Sequence, residues 1–121
     1  MKLKVKNKTE NSLFIILHNF IKLLKVPLTN NVLKQVISEN NNDGSIRTIC
    51  DLLLEFNIES KVFRVEYEDL LRIPCPIIAQ IEVYNTQHFV VISDVTTNKI
   101  NYFNTCGKEC YESDTIFDKK W

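Results

Sequence analysis

The chain has 121 residues, of which 45% are hydrophobic and 25% are charged. This length and composition predict one domain with one buried core. The 15 basic and 15 acidic side chains cancel, and the only basic run, Lys2–Lys8, is too short to form a nucleic-acid surface. No apolar stretch reaches the roughly 18–20 residues that a membrane helix needs, and no signal-peptide pattern occurs. We therefore expect a cytoplasmic domain that neither binds nucleic acid nor inserts into a membrane.

The first half of the chain predicts three helices, because apolar residues recur there at three- and four-residue spacings. Each helix begins beside a side chain that can cap it: Asn11 or Ser12, then Thr29, then Ser45. The residues before the first cap are predicted to form a solvated tail. Pro27 follows the first helix and prevents it from continuing.

From Ser60 onwards, β-branched and apolar runs indicate strands. The predicted strands are 62–65, 77–83, 88–95 and 99–103, with a short helical turn at 67–71 and a last short helix capped by Ser113. The second and third of these strands form a hairpin around the polar turn 84–87. Helices followed by an antiparallel sheet predict the α+β class, with the N-terminal helices packed on the C-terminal sheet.

Two histidines are present, and their settings differ. His18 lies within the first helix, where a side chain at the edge of the core is the simplest interpretation. His88 opens a strand directly after a turn, a place where the scaffold holds an imidazole rigidly. A catalytic histidine needs a group that orients its ring, and Asn104 ends the next strand. If these strands are antiparallel, His88 and Asn104 become neighbours.

The segment from Gln87 to Ile92 and the sixteen-residue spacing from His88 to Asn104 resemble the histidine strand and the following Asp position of bacteriocin-leader peptidases. These are the papain-like domains, cysteine peptidase family thirty-nine, at the N-termini of peptide-exporting ABC transporters. The similarity extends to three further places: the Asp43-Gly44-Ser45 loop, the segment Leu71–Gln80, and the Phe117 and Trp121 pattern. The resemblance implies a papain-like fold over the whole chain.

The departures from the family pattern concern the catalytic residues. The resemblance puts Glu10 at the position of the nucleophilic cysteine, at or just before the first turn of the first helix. It puts Lys4 near the glutamine whose amide helps form the oxyanion hole, and Asn104 at the Asp position, where the orienting role can survive. No cysteine precedes Cys50. A carboxylate is a poor nucleophile towards an amide, so the resemblance implies an inactive peptidase.

The cysteines leave two alternatives open. Cys106 would serve as an unexpected nucleophile in an active endopeptidase that cleaves double-glycine leader peptides. Cys106 and Cys110 are also close enough in sequence for a disulfide or for thiol–disulfide chemistry. The cysteine spacings do not form a structural zinc site, and no motif predicts a metal or a cofactor.

The function predicted from the sequence is therefore that of a peptidase-like binding or regulatory module without catalysis. Its partner would be a peptide or protein segment, including the remainder of a bacterial peptide exporter or a related thiol oxidoreductase. This resemblance implies that residues 1–121 are a fragment of a longer membrane protein. The domain would then be tethered at the cytoplasmic side of the inner membrane.

Overall fold

A computed structural model of the chain describes residues 2–40 and 44–121, with side chains described from Ser12 onwards. Two compact units are present, residues 1–63 and residues 64–121. The first unit contains α1 (Lys2–Leu23), α2 (Asn30–Glu39) and α3 (Ile46–Glu55). The second contains a 3-10 helix (Tyr67–Arg72), the strands β1 (Ile77–Val83), β2 (Thr86–Val95), β3 (Lys99–Phe103) and β4 (Glu109–Ser113), and α4 (Asp114–Asp118). The predicted α+β class is confirmed.

The three helices of the first unit contact one another through their apolar faces. Their buried side chains are Leu13, Ile16, Leu17, Ile21, Leu33, Ile37, Ile49, Leu52 and Leu53. The predicted caps of α2 and α3 are confirmed, because Thr29 Oγ1 accepts from the N–H of Val32 and Ser45 Oγ accepts from the N–H of Thr48. Asp43 lies outside the described residues.

The start of α1 differs from the prediction. The helix begins at Lys2 and passes through Asn11 and Ser12, so neither residue caps it. The segment before Ser12 contains no proline or glycine, and a helix already formed over the apolar stretch extends through such residues at little cost. Glu10 therefore lies inside the helix rather than at its first turn.

The end of α1 is set by backbone hydrogen bonds before Pro27 is reached. Lys25 adopts a left-handed conformation with φ 61°, and the N–H of Val26 donates to the carbonyl of Ile21. These are the features of a Schellman motif, which satisfies the last free carbonyls of a helix. Helix α3 ends in the same way at Asn57, with φ 61°.

The second unit is built on a four-stranded antiparallel sheet in the order β1-β2-β3-β4. One face carries a core cluster made of Leu70, Ala79, Ile81, Val90, Ile92, Ile100, Tyr102 and Phe117. The last residues of the chain hold this unit together: the carbonyl of Lys120 accepts from the N–H of Glu82 in β1, and Trp121 Nε1 donates to the carbonyl of Val65.

Three details of the second half differ from the prediction. Residues 62–65 form no strand, and Val62 and Phe63, the last residues of the first unit, are exposed. Without a neighbouring strand, a β-branched run has no partner for its backbone groups. The β1–β2 turn contains only Tyr84 and Asn85, so β2 starts two residues before His88. Strand β4 was not predicted, because polar and apolar residues alternate only weakly over its five residues, which directly follow a turn.

Candidate functional site

His88 is the third residue of β2, at the end of the sheet that carries the β1–β2 turn. It is directly opposite Ile81 of the core cluster, and Val90 follows it two residues later. Direct cross-strand partners and alternate residues of one strand share a face, so His88 lies at the edge of the core face. The side chain is half-buried, and no hydrogen bond joins its imidazole to any residue of the described part of the chain.

The two-residue turn fixes where His88 stands. Tyr84 and Asn85 both have positive φ, 51° and 60°, as a type I′ turn requires. The Tyr84 side chain is 96% exposed. A type I′ turn matches the twist of the two strands, and the resulting register pairs Val83 with Thr86 and Ile81 with His88. The position of the histidine thus depends on a turn that is hard to recognise from the sequence. Its two central positions are usually asparagine and glycine, whereas here they are Tyr84 and Asn85.

Asn104 follows β3 and holds the turn to β4 with both its backbone and its side chain. Its N–H donates to the carbonyl of Lys108 at 3.0 Å, and its carbonyl accepts from the N–H of Gly107 at 2.9 Å. Its side-chain Oδ1 accepts from the N–H groups of Cys106 and Lys108, both at 3.0 Å. Because two N–H donors face the same atom, the orientation of the amide is fixed with Oδ1 towards the turn.

The strand register brings His88 and Asn104 to the same end of the sheet. Val91 is paired with Phe103, so the next residue, Asn104, comes opposite Val90 and diagonal to His88. Diagonal neighbours across antiparallel strands are separated by roughly 7–8 Å, within reach of long side chains. The two side chains make no direct hydrogen bond in the described part of the chain. Oδ1 of Asn104 uses both lone pairs on the turn, so the group left to face His88 is the Nδ2 amide, a donor.

Comparison with known proteins identifies the family. The model of the Peptidase C39 family matches residues 2–121. The chain belongs to the Peptidase C39 family. No curated protein and no solved structure matches it.

In this C39 domain, the residues at the nucleophile and oxyanion positions of the resemblance both lie on α1. Glu10 and Lys4 are helical residues whose side chains are outside the described part of the structure. Only the first four N–H groups of a helix are free of intrahelical bonds. Residue 10 is beyond them, since the helix starts at Lys2, and its N–H is directed to the carbonyl four residues earlier.

The four cysteines of the C39 domain are free thiols in four different settings. Cys50 is half-buried in the middle of α3. Burial, with a smaller contribution from the Asp94 carboxylate, raises the pKa of the Cys75 thiol. Cys106 is exposed in the turn after Asn104, and Cys110 lies in β4 against the core cluster, with Sγ 3.5 Å from the carbonyl of Lys108.

Cys106 and Cys110 are therefore not bonded to each other. One is at an exposed turn, whereas the other packs on the core face of the sheet. Neither is at the N-terminus of a helix. Among the described side chains, those of residues 12–40 and 44–121, no group of three His, Cys, Asp or Glu is arranged to hold a metal ion. No helix in the described part of the chain is long and apolar enough to cross a membrane.

His18, the second histidine, lies in α1 of the first unit. Its ring stacks on Phe14 of the same helix, with centroids 5.4 Å apart and planes at 21°.

Lys108 is a site residue that the sequence did not indicate. It faces Asn104 across the β3–β4 turn, so it lies at the same end of the sheet as His88. Its position depends on the β3–β4 pairing, and β4 was not predicted.

Proposed function

We propose that this C39 domain is catalytically inactive and binds a peptide or protein segment. The observation that carries the proposal is the absence of any cysteine before Cys50, so that α1 contains no thiol. The nucleophile of a cysteine peptidase must be a thiolate beside the histidine. Glu10, at the corresponding position of the resemblance, cannot form a stable acyl-enzyme with a peptide carbonyl.

The other cysteines do not supply a replacement. Cys50 is inside a helix, Cys75 is protonated more strongly than an ordinary thiol, and Cys110 packs against the core cluster. Cys106 is exposed in the turn between β3 and β4, so it does not begin a helix as the nucleophile of the family resemblance does. A binding role is compatible with a sheet end that contains His88 but no nucleophilic thiol.

The proposed setting follows from the family. C39 domains of the resemblance are parts of bacterial peptide exporters, and we propose that this domain contributes peptide or partner binding to such a membrane protein. The domain itself would remain at the cytoplasmic side of the membrane. The sheet end with His88 and Asn104 is the proposed contact region.

The experiment uses the purified chain and a synthetic double-glycine leader peptide. We expect saturable binding by isothermal titration calorimetry and no cleavage product by mass spectrometry after prolonged incubation. A His88→Ala variant should bind more weakly, whereas a Tyr111→Ala variant, which alters an exposed residue of β4, should bind as the unmodified chain does. Cleavage that iodoacetamide abolishes would overturn the proposal.

A further inference from the structure

We infer that the sheet end formed by His88, Asn104 and Lys108 is a carboxylate-binding site. This inference rests on the proposed function and names the chemical group of the peptide that the domain would recognise. The observation behind it is the turn after β3, where Asn104 directs Oδ1 towards the backbone and leaves Nδ2 available to a ligand.

The first step is the polarity of Asn104. Its Oδ1 accepts from two backbone N–H groups at 3.0 Å, and no described residue accepts a hydrogen bond from its Nδ2. The half-buried amide therefore offers two N–H donors and no acceptor. An aspartate in this place would keep the turn bonds with one oxygen and present a second, negatively charged oxygen instead. An aspartate would therefore offer the imidazole a hydrogen-bond acceptor, whereas Asn104 offers a hydrogen-bond donor.

The second step is the position of the other donors. His88 is diagonal to Asn104 on the core face, and its imidazole makes no hydrogen bond to a described residue. A neutral imidazole always has one N–H donor, and a protonated one has two. Lys108 pairs with Asn104 across the turn, immediately before β4, and its exposed, positively charged side chain is at the same end of the sheet.

The third step is geometric. A carboxylate has two oxygens and can accept from donors on two neighbouring strands, with charge-assisted N···O distances of roughly 2.7–2.9 Å. Donors on diagonal positions, with Cα atoms roughly 7–8 Å apart, are separated by the right span for one carboxylate between them. The residues of β2 beside His88 are Thr86, Gln87 and Phe89, none of them acidic. The ligand group that fits three donor-bearing side chains, one of them a lysine, is an anion of carboxylate size.

Two sources of a peptide carboxylate are tested separately. The probes are N-acetyl-glycyl-glycine, with a C-terminal carboxylate, its C-terminal amide, and N-acetyl-aspartic acid N-methylamide, with a side-chain carboxylate. Each is titrated into the ¹⁵N-labelled chain while the Asn104 Nδ2H₂ and His88 ring signals are followed by NMR. We expect saturable shifts with either acid, or with both, and none with the amide. The acid that binds more tightly identifies the source.

The informative variant is Asn104→Asp, because it keeps the turn acceptor and replaces the Nδ2 donor with a charged oxygen. We expect it to weaken binding of the acids at least tenfold while the backbone spectrum of the turn stays the same. Lys108→Met should weaken binding several-fold, and Lys119→Met, an exposed lysine beyond α4, serves as the matched control that leaves binding unchanged. Equal binding of acid and amide, or binding by Asn104→Asp as tight as that of the unmodified chain, would overturn the inference.

The same samples separate this inference from the proposed function. Cleavage of a leader peptide would refute the proposed inactivity whatever the titrations give. Binding of a long leader peptide that is insensitive to Asn104→Asp would leave the binding function in place and refute the carboxylate site alone.

Discussion

Asn104 and Lys108 are joined by two hydrogen bonds across the turn between β3 and β4: the N–H of Asn104 donates to the carbonyl of Lys108, and the N–H of Lys108 donates to Oδ1 of Asn104, both at 3.0 Å. A third bond, from the N–H of Cys106 to the same Oδ1, completes the turn. The side chain of Asn104 is thus a structural part of the sheet end as well as a member of the candidate site.

The first prediction follows from these side-chain bonds. Asn104→Ala removes the acceptor of two backbone N–H groups, and each net hydrogen bond is worth about 0.5–1.5 kcal/mol, so the free energy of unfolding should fall by about 1–3 kcal/mol. Asn104→Asp retains an acceptor oxygen and should cost less than 1 kcal/mol on the same basis. Urea denaturation followed by circular dichroism measures both. Equal losses in the two variants would show that the side-chain bonds do not support the turn.

The second prediction concerns alkaline stability. Burial, together with the hydrogen bond and the charge of Glu112, raises the pKa of Tyr102 above its ordinary value. The folded state therefore holds this proton more tightly than the unfolded state, whose tyrosine pKa is about 10. The resulting stabilisation is fully present below that pH and is lost as pH rises through the folded-state pKa.

Tyr102→Phe cannot ionise, so its free energy of unfolding should fall less steeply above pH 10 than that of the unmodified chain. Urea denaturation at several pH values between 8 and 11 gives the two slopes. The matched control is Tyr111→Phe, because Tyr111 is exposed and its hydrogen bond to Glu109 is screened by water. Parallel slopes for the unmodified chain and Tyr102→Phe would contradict the prediction.

The third prediction is an order of thiol reactivity. The thiolate is the reactive form of cysteine, so exposure and a low thiol pKa both increase the alkylation rate. Cys106 is exposed, whereas Cys75 is half-buried and burial raises its pKa. At pH 8, iodoacetamide should modify Cys106 roughly tenfold faster than Cys75. Peptide mapping by mass spectrometry at successive times measures the rates, and Cys106→Ser is the control for site assignment. Faster modification of Cys75 than of Cys106 would contradict the prediction that Cys75 is the less accessible thiol.

Much of the fold could be predicted from short-range patterns. Thr29, Ser45 and Ser113 were recognised as caps because a hydroxyl before an apolar helical stripe has a local cause, and the structure gives each of them its N–H donor. Strands β1 and β3 were recognised from their apolar composition. The start of α1 could not be predicted, because a polar segment without proline or glycine carries no local stop signal.

The candidate site was predictable only in part. The spacing between His88 and Asn104 indicates that both lie at one end of a hairpin, since antiparallel strands return to their starting level. The direction of the Asn104 amide could not be predicted, because it depends on the conformation of residues 105–108. That turn includes Gly107 at φ 80°, a conformation that glycine adopts without strain. Lys108 was missed for the same reason.

The last prediction concerns the attempt to restore catalysis. The family resemblance makes Lys4→Gln with Glu10→Cys the informative double variant, because the two changes restore the family residues. The start of α1 at Lys2 argues against cleavage by this variant. A cysteine at position 10 would be in the third turn of the helix, where its own N–H is bonded to the carbonyl of residue 6 and cannot bind an oxyanion. Losing one oxyanion donor typically costs about 2.7–4 kcal/mol, or on the order of a hundred- to a thousand-fold in rate. The helix dipole would also fail to lower the thiol pKa, since its effect is confined to the first turn. We therefore expect no product from the double variant in a mass-spectrometric assay, with the triple variant that adds His88→Ala as the baseline.

Cleavage by the double variant, lost again with His88→Ala, would mean that α1 begins near residue 10 in the working protein and that the peptidase cleft is intact apart from its nucleophile and its glutamine. Cleavage by the unmodified chain, blocked by alkylation of Cys106, would instead make the domain an enzyme.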